Sequence, residues 1–331
     1  MSVLKWVLAA LAVLLLAATR LYINARTSVS PLDDEARQSA PGEFVTLSHG
    51  QVHFAWHGQA EGPVVVLVHG FSTPSFVWRG LLGKLTVAGL RVLTYDHYGR
   101  GFSDRPKVDY DAALFERQLL ELLDSQAIKQ PVALVGYSMG GAVATHFTAN
   151  HPSRVTRLAL IAPAGLPLVN GGPELLELPV IGDWLIQVFG RRMLLGSLSG
   201  SGSGSGSGSE SESNSENQGS ALPDLKEKFE VQLQYDGYLR ALLSTIKHFP
   251  MSAMVSEYET VGRSDIPVFS IWGRLDETIP IANAERLEIA IPNAEIEVIE
   301  DGTHAITYSA ADKVATALVT FFAPLLTSHN D

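Results

Sequence analysis

Gly136-Tyr137-Ser138-Met139-Gly140 is the stretch that decides the fold, because it has the spacing G-x-S-x-G. The apolar run 131–135 before it is typical of a buried strand, and the small-residue run 141–149 after it is typical of a helix packed closely on a sheet. A serine at a sharp strand-to-helix turn is held in a strained conformation that exposes its hydroxyl. The flanking glycines leave out Cβ atoms that would collide there. The pattern predicts Ser138 as a nucleophile; the alternative is an ordinary glycine-rich turn.

Further strand-like segments along the chain predict the sheet that carries this turn. They cover residues 44–47, 52–56, 64–68, 91–95, 158–161, 268–272 and 296–299, of which 64–68 and 91–95 are continuous apolar runs. The first two flank Ser48-His49-Gly50-Gln51, as in a hairpin. Helix-like stretches at 77–85 and 112–126 separate later strands. The alternation predicts an α/β fold with a mostly parallel eight-stranded sheet and helices on both faces.

The region between strands 158–161 and 268–272 is predicted to be a helical insertion that includes residues 182–189 and 225–248. Within it, 199–220 is a Ser-Gly alternation followed by Ser-Glu repeats, without a hydrophobic residue. Such a segment cannot bury enough surface to order itself. Its regularity indicates a designed linker that replaces part of a cap, with natural low complexity as the alternative. The expected organisation is an anchor or signal segment (1–25), a linker (26–42), a core in two parts (43–163 and 255–331) and a helical cap (164–254).

The first 25 residues contain an uncharged run, Trp6 to Thr19, between Lys5 and Arg20. An uncleaved anchor over residues 3–23 would be long enough to span a bilayer once. A secretory signal is the alternative, and it would leave a secreted or periplasmic protein, but 16–19 is a poor cleavage site. We favour the membrane anchor over the signal and over a buried helix. The flanking charges do not decide which side of the membrane the rest of the chain occupies.

Composition excludes several classes of function. The net charge of −11 argues against nucleic acid as a partner, because no basic stripe is available to neutralise phosphates. The chain has no cysteine, which excludes disulfides, thiolate catalysis and cysteine-bound zinc. We expect no metal and no organic cofactor.

A serine hydroxyl needs a general base, usually a histidine that a carboxylate orients. In sheets of this type the chain order is serine, acid, histidine. Asp276 lies just past strand 268–272, and His304 follows a glycine turn after strand 296–299, so we predict them as the acid and the base. Glu277 is the competing acid, and Asp276 could instead only cap a helix. Among the other downstream histidines, His151 and His248 lack the loop position, and His146 lies in the predicted helix after the turn.

Acyl transfer also needs donors for the developing oxyanion. The candidates are the backbone N–H groups of Met139, directly after the nucleophile, and of Phe71, in the loop His69-Gly70-Phe71-Ser72. The side chains of Phe71 and Met139 are predicted to line the substrate pocket. The cap aromatics Trp184 and Phe189 are predicted to line it as well.

These residues resemble the α/β-hydrolase fold superfamily in four segments: 69–71, 96–103, 136–140 and the loops of Asp276 and His304. The resemblance covers about 43–163 and 255–326 and implies that Asp96 and the glycines after it are structural. Ser138 speaks against haloalkane dehalogenases and epoxide hydrolases, which use an aspartate nucleophile. Thr303 departs from the glycine that many members have before the histidine. An anchor joined to a hydrolase resembles membrane-bound monoacylglycerol-lipase-like members.

The expected function is that of a serine carboxylic-ester hydrolase, a carboxylesterase or lipase that acts on hydrophobic acyl esters such as acylglycerols. The expected partners are a small ester or lipid substrate and, through residues 1–25, a membrane. The alternatives are a C–C bond hydrolase of ring-cleavage products or a perhydrolase on the same three residues. A non-catalytic binding protein is a further alternative of another class.

Overall fold

In the computed structural model, the described residues are 2–167, 174–198 and 224–327. The predicted linker 199–220 lies outside them. The described strands are β1 (Glu43–Leu47), β2 (Gly50–His57), β3 (Val64–Val68), β4 (Arg91–Tyr95), β5 (Val132–Tyr137), β6 (Val155–Ile161), β7 (Val268–Gly273) and β8 (Glu295–Ile299). The described α-helices before β7 are α1 (Ser2–Thr27), α2 (Asp34–Arg37), α3 (Arg79–Val87), α4 (Ala112–Ser125), α5 (Met139–Asn150), α6 (Glu174–Glu177), α7 (Ile181–Leu198), α8 (Leu225–Leu233), α9 (Tyr238–His248) and α10 (Val255–Gly262). Those after β7 are α11 (Ala282–Ala290), α12 (Ile306–Ser309) and α13 (Ala311–Thr327).

The strands form one sheet whose order, within the described residues, is β1-β2-β4-β3-β5-β6-β7-β8. The first two pairings, β1 with β2 and β2 with β4, are antiparallel, and the remaining strands pair in parallel. The predicted fold class, an eight-stranded and mostly parallel α/β sheet, is therefore confirmed. The predicted hairpin is also present, since β1 and β2 meet at the turn that follows Leu47.

Strand β5 shows why the central strands read as continuous apolar runs. Val132 and Leu134 pack into a core cluster on one face, together with residues of α4, α5 and α10. Ala133 and Val135 point the other way, into a second cluster with α3 and α13. Because successive side chains of a strand alternate between faces, a strand covered by helices on both sides must be apolar at every position.

The stretch 225–248 is not one helix, because the chain turns between α8 and α9. Gly237 there has a φ of +86°, a conformation that glycine adopts without strain. The turn also pairs with the segment after α1: the N–H of Ser30 donates to the carbonyl of Gln234 at 2.7 Å, and the N–H of Asp236 donates to the carbonyl of Ser30 at 2.8 Å. The sequence pattern missed this break because the pairing joins residues some two hundred positions apart.

Helix α1 packs on α7 through polar groups near its end. The hydroxyl of Tyr22 donates to a carboxylate oxygen of Asp183 at 2.6 Å, and the indole N–H of Trp184 donates to the carbonyl of Ala18 at 2.9 Å. Among the described residues, the part Val3–Thr27 is the one helix long and apolar enough to cross a membrane. Further along, Arg37 of α2 is buried and bonds the carboxylate of Asp104. Much of the expected 26–42 linker is thus held against the rest of the protein.

Candidate active site

Ser138 lies at the turn between β5 and α5 in a strained backbone conformation, with φ 54° and ψ −123°. A non-glycine residue rarely has a positive φ, and here the surrounding contacts hold it. A Cβ at Gly136 would come within 2.4 Å of the carbonyl oxygen of Gly140, and one at Gly140 within 2.0 Å of the carbonyl oxygen of Val68. Both positions therefore require glycine, as the G-x-S-x-G spacing predicts.

Parallel strands bring the three predicted residues to one edge of the sheet. Ser138 follows β5, Asp276 follows β7 and His304 follows β8, so all three lie at carboxyl ends, where ligands of open α/β sheets gather. His304 Nε2 is 3.0 Å from Ser138 Oγ, and His304 Nδ1 is 2.7 Å from Asp276 Oδ2. Ser138 Oγ–H can donate to Nε2 while Nδ1–H donates to the carboxylate. This is the arrangement that lets an imidazole take a proton from the hydroxyl.

Asp276 is held in place by its own loop. It is 5% exposed, and its Oδ1 accepts the backbone N–H groups of Thr278 and Ile279, each at 2.8 Å. One oxygen therefore fixes the loop while the other orients His304. Asp276 does not cap the next described helix, since α11 begins at Ala282 and has no side-chain cap. The competing acid Glu277 is exposed.

The remaining candidate histidines are bound elsewhere. His146 and His151 both contact the carboxylate of Glu116 on α4, at 3.0 and 2.7 Å. His248 is 3.6 Å from Asp109. His146 and His248 lie on helices and His151 directly follows α5, so none of the three lies in a loop after the carboxyl end of a strand.

The predicted oxyanion donors lie on either side of Ser138. Met139 is the next residue, and a Cβ at Gly70, the residue before Phe71, would be 3.2 Å from Ser138 Cβ. Within the part of the chain that the structure describes, the backbone N–H groups of Phe71 and Met139 have no hydrogen-bond acceptor. Two unpaired N–H groups beside the Ser138 hydroxyl can donate hydrogen bonds to a negatively charged oxygen.

The loop that carries Phe71 is fixed by groups that the sequence reasoning did not single out. His69 Nδ1–H donates to the carbonyl of Gly70 at 2.9 Å, and its Nε2 accepts the N–H of His97 at 2.9 Å. Burial lowers the pKa of His69 to about 4, which keeps this ring neutral in that tautomer. The buried guanidinium of Arg100 donates to the carbonyl of Phe71 at 2.9 Å, and burial lowers the pKa of Arg100 to about 10. Arg100 lies in the segment 96–103 that the resemblance had marked as structural.

Tyr137 has a further role that the sequence did not reveal. Its hydroxyl donates to the backbone carbonyl of His304 at 2.8 Å, and the two rings lie 5.3 Å apart. This hydrogen bond therefore fixes the backbone of the loop that carries His304. Thr303, which departs from the common glycine, accepts the N–H of Ala305 at 3.3 Å with its hydroxyl and so closes the same turn.

The predicted pocket side chains are not all brought to Ser138. Phe71 is half-buried and packs between the main core and the cap helices α8 and α9. Met139 is fully buried in the main core cluster. Trp184 bonds α1 and stacks edge-on against Phe189, which is 43% exposed. Trp184 thus contacts α1 through its indole N–H, a contact between distant segments that the sequence of the cap alone could not indicate.

Comparison with known proteins agrees with this geometry. Residues 63–311, more than half of the chain, match the family model of the alpha/beta hydrolase fold. An uncharacterized protein of Mycobacterium tuberculosis is 29% identical over 276 residues, which cover 78% of this chain and 76% of that relative. The monoacylglycerol lipase ABHD6 of Mus musculus is 25% identical over 273 residues, which cover 81% of this chain and 78% of the lipase.

Among solved structures, the enol-lactonase of Burkholderia xenovorans LB400 superposes with a TM-score of 0.68 and 20% sequence identity, over 85% of this chain and 100% of that chain. At this identity the likeness shows the fold alone. The family match, the sheet order and the turn at Ser138 lead to one conclusion: the chain belongs to the alpha/beta-hydrolase fold family.

Proposed function

We propose that this chain is a serine carboxylic-ester hydrolase that acts on hydrophobic acyl esters such as acylglycerols. The observation that carries the proposal is the continuous hydrogen-bonded series from Ser138 through His304 to Asp276, at 3.0 and 2.7 Å. A buried carboxylate, an imidazole nitrogen facing a hydroxyl and a strained serine are the parts that nucleophilic acyl transfer needs.

The reaction follows from the roles of these groups. His304 Nε2 takes the proton of Ser138 as Oγ attacks the ester carbonyl carbon, and Asp276 stabilises the imidazolium that forms. The N–H groups of Phe71 and Met139 bind the oxyanion. His304 then protonates the departing alkoxide, and the alcohol leaves. A water molecule gives a proton to His304 as it attacks the acyl-enzyme. His304 then returns that proton to Ser138 Oγ as the acid leaves, which restores both residues.

Two observations favour a hydrophobic ester as the substrate. Phe71, the residue that supplies one oxyanion donor, also packs against an apolar cluster of cap residues from α8 and α9. The similarity to the mouse monoacylglycerol lipase favours acylglycerols over water-soluble esters. Substrate pocket roles for Trp184, Phe189 and the Met139 side chain find no support in their contacts, and we leave them out of the proposal.

The test is a panel of p-nitrophenyl esters and monoacylglycerols of increasing acyl length, run on the full chain and on Ser138→Ala. We expect turnover that rises from short to medium or long acyl chains and is abolished by the substitution. A fluorophosphonate should label the parent chain and not Ser138→Ala. Negligible ester turnover together with cleavage of a vinylogous diketone would reject the ester proposal in favour of C–C bond hydrolysis. Absence of labelling in the parent chain would reject serine catalysis altogether.

We also propose that α1 anchors the chain in a membrane by a single pass. The support is the length and apolar composition of Val3–Thr27, 25 residues whose most apolar window is not buried by the rest of the protein. Extraction of membranes with alkaline carbonate should leave the full-length chain in the pellet. Recovery of a soluble chain whose amino terminus lies beyond residue 25 would instead indicate a cleaved signal.

A further inference from the structure

Two successive carbonyl groups of the loop 69–72, here called the oxyanion loop, accept hydrogen bonds from side chains outside it. Arg100 Nε–H donates to the carbonyl of Phe71 at 2.9 Å, and the hydroxyl of Tyr238 donates to the carbonyl of Ser72 at 2.7 Å. Tyr238 is 1% exposed and is the first residue of the cap helix α9. The cap therefore bonds the backbone of the loop that carries a proposed oxyanion donor.

Arg100 extends this contact further along α9. It is fully buried, and its Nη2 donates to Thr245 Oγ1 of that helix at 2.8 Å. In the ranges that the structure describes, no carboxylate forms an ion pair with it. A buried cation without a counter-charge costs stability, so packing alone does not account for this side chain. Its rigid fork of N–H groups instead joins the oxyanion loop to α9.

Helix α9 is itself fixed to the core close to Tyr238. Arg240 donates to the carbonyl groups of Arg105 and Pro106 at 2.6 and 2.9 Å. Arg105 donates in turn to the carbonyl of Asp236, just before α9, at 3.1 Å. Because these bonds run in both directions between the two segments, α9 has the firm attachment that a support for the loop needs.

From these contacts we propose that Arg100 and Tyr238 are positioning residues, which hold the oxyanion loop on α9 for the proposed ester hydrolysis. The N–H of Phe71 shares a planar peptide with the carbonyl of Gly70, which His69 holds. Arg100 holds the next peptide, so the backbone is fixed on both sides of the Phe71 Cα. A donor aimed in advance at the oxyanion lowers the barrier without reorganisation. The inference rests on the proposed function and adds the cap to its machinery.

Tyr238 offers the most selective substitution. Tyr238→Phe keeps the ring and removes the bond to Ser72, so kcat on the best ester should fall roughly tenfold, below the about 10²- to 10³-fold that a deleted oxyanion donor costs. KM should stay within about twofold, because the loop acts on the transition state. Tyr110→Phe is the matched control: its buried hydroxyl donates to the carbonyl of Pro106, which Arg240 also bonds, so kcat should stay close to the parent value.

Two further variants test the link through Arg100. Arg100→Lys keeps a cation but lacks the planar fork that reaches both Phe71 and Thr245, so kcat should fall by about 10²-fold. Thr245→Val keeps the shape of the side chain and removes the acceptor on α9, so a fall of roughly fivefold is expected. Melting temperatures identify a variant that has lost its fold, and fluorophosphonate titration normalises kcat to active sites.

Two measurements separate positioning from a purely structural role. A trifluoromethyl ketone is attacked by Ser138 Oγ, whose proton passes to His304, and the ketone oxygen becomes an oxyanion beside the Phe71 N–H. Its affinity should fall in Tyr238→Phe by the same factor as kcat/KM and stay unchanged in Tyr110→Phe. In a Ser138→Ala background, Tyr238→Phe should also speed deuterium exchange in peptides that contain Phe71, whether or not the chain cleaves esters.

The outcomes distinguish this inference from the proposed function. A parent chain that turns over no ester would overturn the proposed function and this inference with it. With an active parent, an unchanged kcat in Tyr238→Phe, a loss in KM alone or an equal loss in Tyr110→Phe would overturn the inference only. Unaltered deuterium exchange around Phe71 would show that Tyr238 does not hold the loop and would overturn it as well.

Discussion

Two histidine–aspartate pairs in this molecule share the same Nδ1–carboxylate hydrogen bond but differ in the partner of the other ring nitrogen. His304 Nδ1 lies 2.7 Å from Asp276 Oδ2, and His53 Nδ1 lies 2.7 Å from Asp96 Oδ2. The other ring nitrogen distinguishes them. In His304 it faces the hydroxyl of Ser138, whereas in His53 it faces the backbone carbonyl of Pro41.

The second neighbour decides what each imidazole can do. A carbonyl oxygen only accepts, so His53 must donate from both nitrogens and is held as a cation beside its carboxylate. Burial by itself would lower the pKa of His53, but the Asp96 carboxylate outweighs it and the pKa is raised. A hydroxyl can donate, so His304 keeps a lone pair and can act as a base. A histidine–aspartate pair thus identifies a catalytic base only together with its third partner.

The largest expected effect separates the two histidines by activity. His304→Ala should lower kcat on the best ester by roughly 10⁶-fold, because the hydroxyl of Ser138 loses its proton acceptor. His53→Ala should leave the activity of the folded fraction within about threefold, since its effect falls on folding. Steady-state kinetics, normalised to active sites by fluorophosphonate titration for the His53 variant, measure both. Equal losses of kcat in the two variants would mean that His53 is as important for catalysis as His304.

The next effect concerns the acid. Asp276→Asn should lower kcat by about 10⁴-fold, because an amide can hold the wrong tautomer of His304. Glu277→Gln is the matched control, and it should retain nearly full activity since Glu277 is exposed. A larger loss in the control than in Asp276→Asn would identify Glu277 as the acid.

The corresponding change in the other pair should reduce stability. Asp96→Asn leaves the buried His53 without its counter-charge, and breaking a buried pair in this way costs about 3–5 kcal/mol of unfolding free energy. Chemical denaturation of the chain in detergent measures it, with Asp109→Asn as a control at an exposed carboxylate further along the same segment. A loss below that of the control would contradict the structural role of Asp96.

A smaller effect is expected at Tyr137. Tyr137→Phe keeps the ring beside His304 and removes the hydrogen bond to its backbone carbonyl, which is worth about 1 kcal/mol. If that bond positions His304, kcat should fall by about fivefold, while KM stays close to its parent value. An unchanged kcat with a lowered melting temperature would make Tyr137 a purely structural residue.

The smallest expected effect is on the pH dependence of stability. The folded-state pKa of His53 lies above its ordinary value of 6.5, so its bond to Asp96 stabilises the fold fully below pH 6.5 and less as the pH rises through the raised pKa. The pKa of Asp96 is lowered: burial opposes this, but the charge and hydrogen bond of His53 prevail. Its contribution is therefore lost only in acid, below its ordinary value of 3.8.

The difference in unfolding free energy between the parent chain and His53→Gln should accordingly be greatest between about pH 4 and 6.5 and should shrink above that range. Urea denaturation at a series of pH values measures it. A difference that grows from pH 6.5 to 8.5 would mean that His53 is neutral in the folded protein.

The sequence predicted the parts of the molecule that local pattern determines. Continuous apolar runs located central strands such as β3 and β4, because strands covered on both faces must be apolar throughout. The edge strands β1 and β8 contain exposed polar positions, and shorter strand-like patterns located them. The chain order of Ser138, Asp276 and His304, each just past a strand, predicts that they lie at one sheet edge. That they meet at bonding distance agrees with this expectation, and their catalytic role remains a proposal.

What the sequence could not predict depends on contacts between distant segments. The break between α8 and α9 is paired with Ser30, and Trp184 bonds α1 rather than reaching the region of Ser138. Tyr137 bonds a loop 167 residues away. Local hydrophobic patterns do not indicate such pairings, because each partner residue fits the pattern of its own segment.

The contact between α1 and α7 limits how far the rest of the protein can lie from a membrane that α1 spans. Ala18 and Tyr22 lie nine and five residues before the end of α1 at Thr27, which at 1.5 Å per residue is about 13 and 7 Å along the helix. If α1 spans a bilayer as proposed, α7 is held close to the lipid head groups by direct bonds, and the height of Ser138 above them is set by the fold. The distance between Ser138 and the membrane surface is then fixed. Esters that lie at the matching depth of the leaflet are therefore favoured over the same esters free in solution. Comparing turnover of one monoacylglycerol in vesicles and in dilute detergent, with and without Tyr22→Phe, measures that preference.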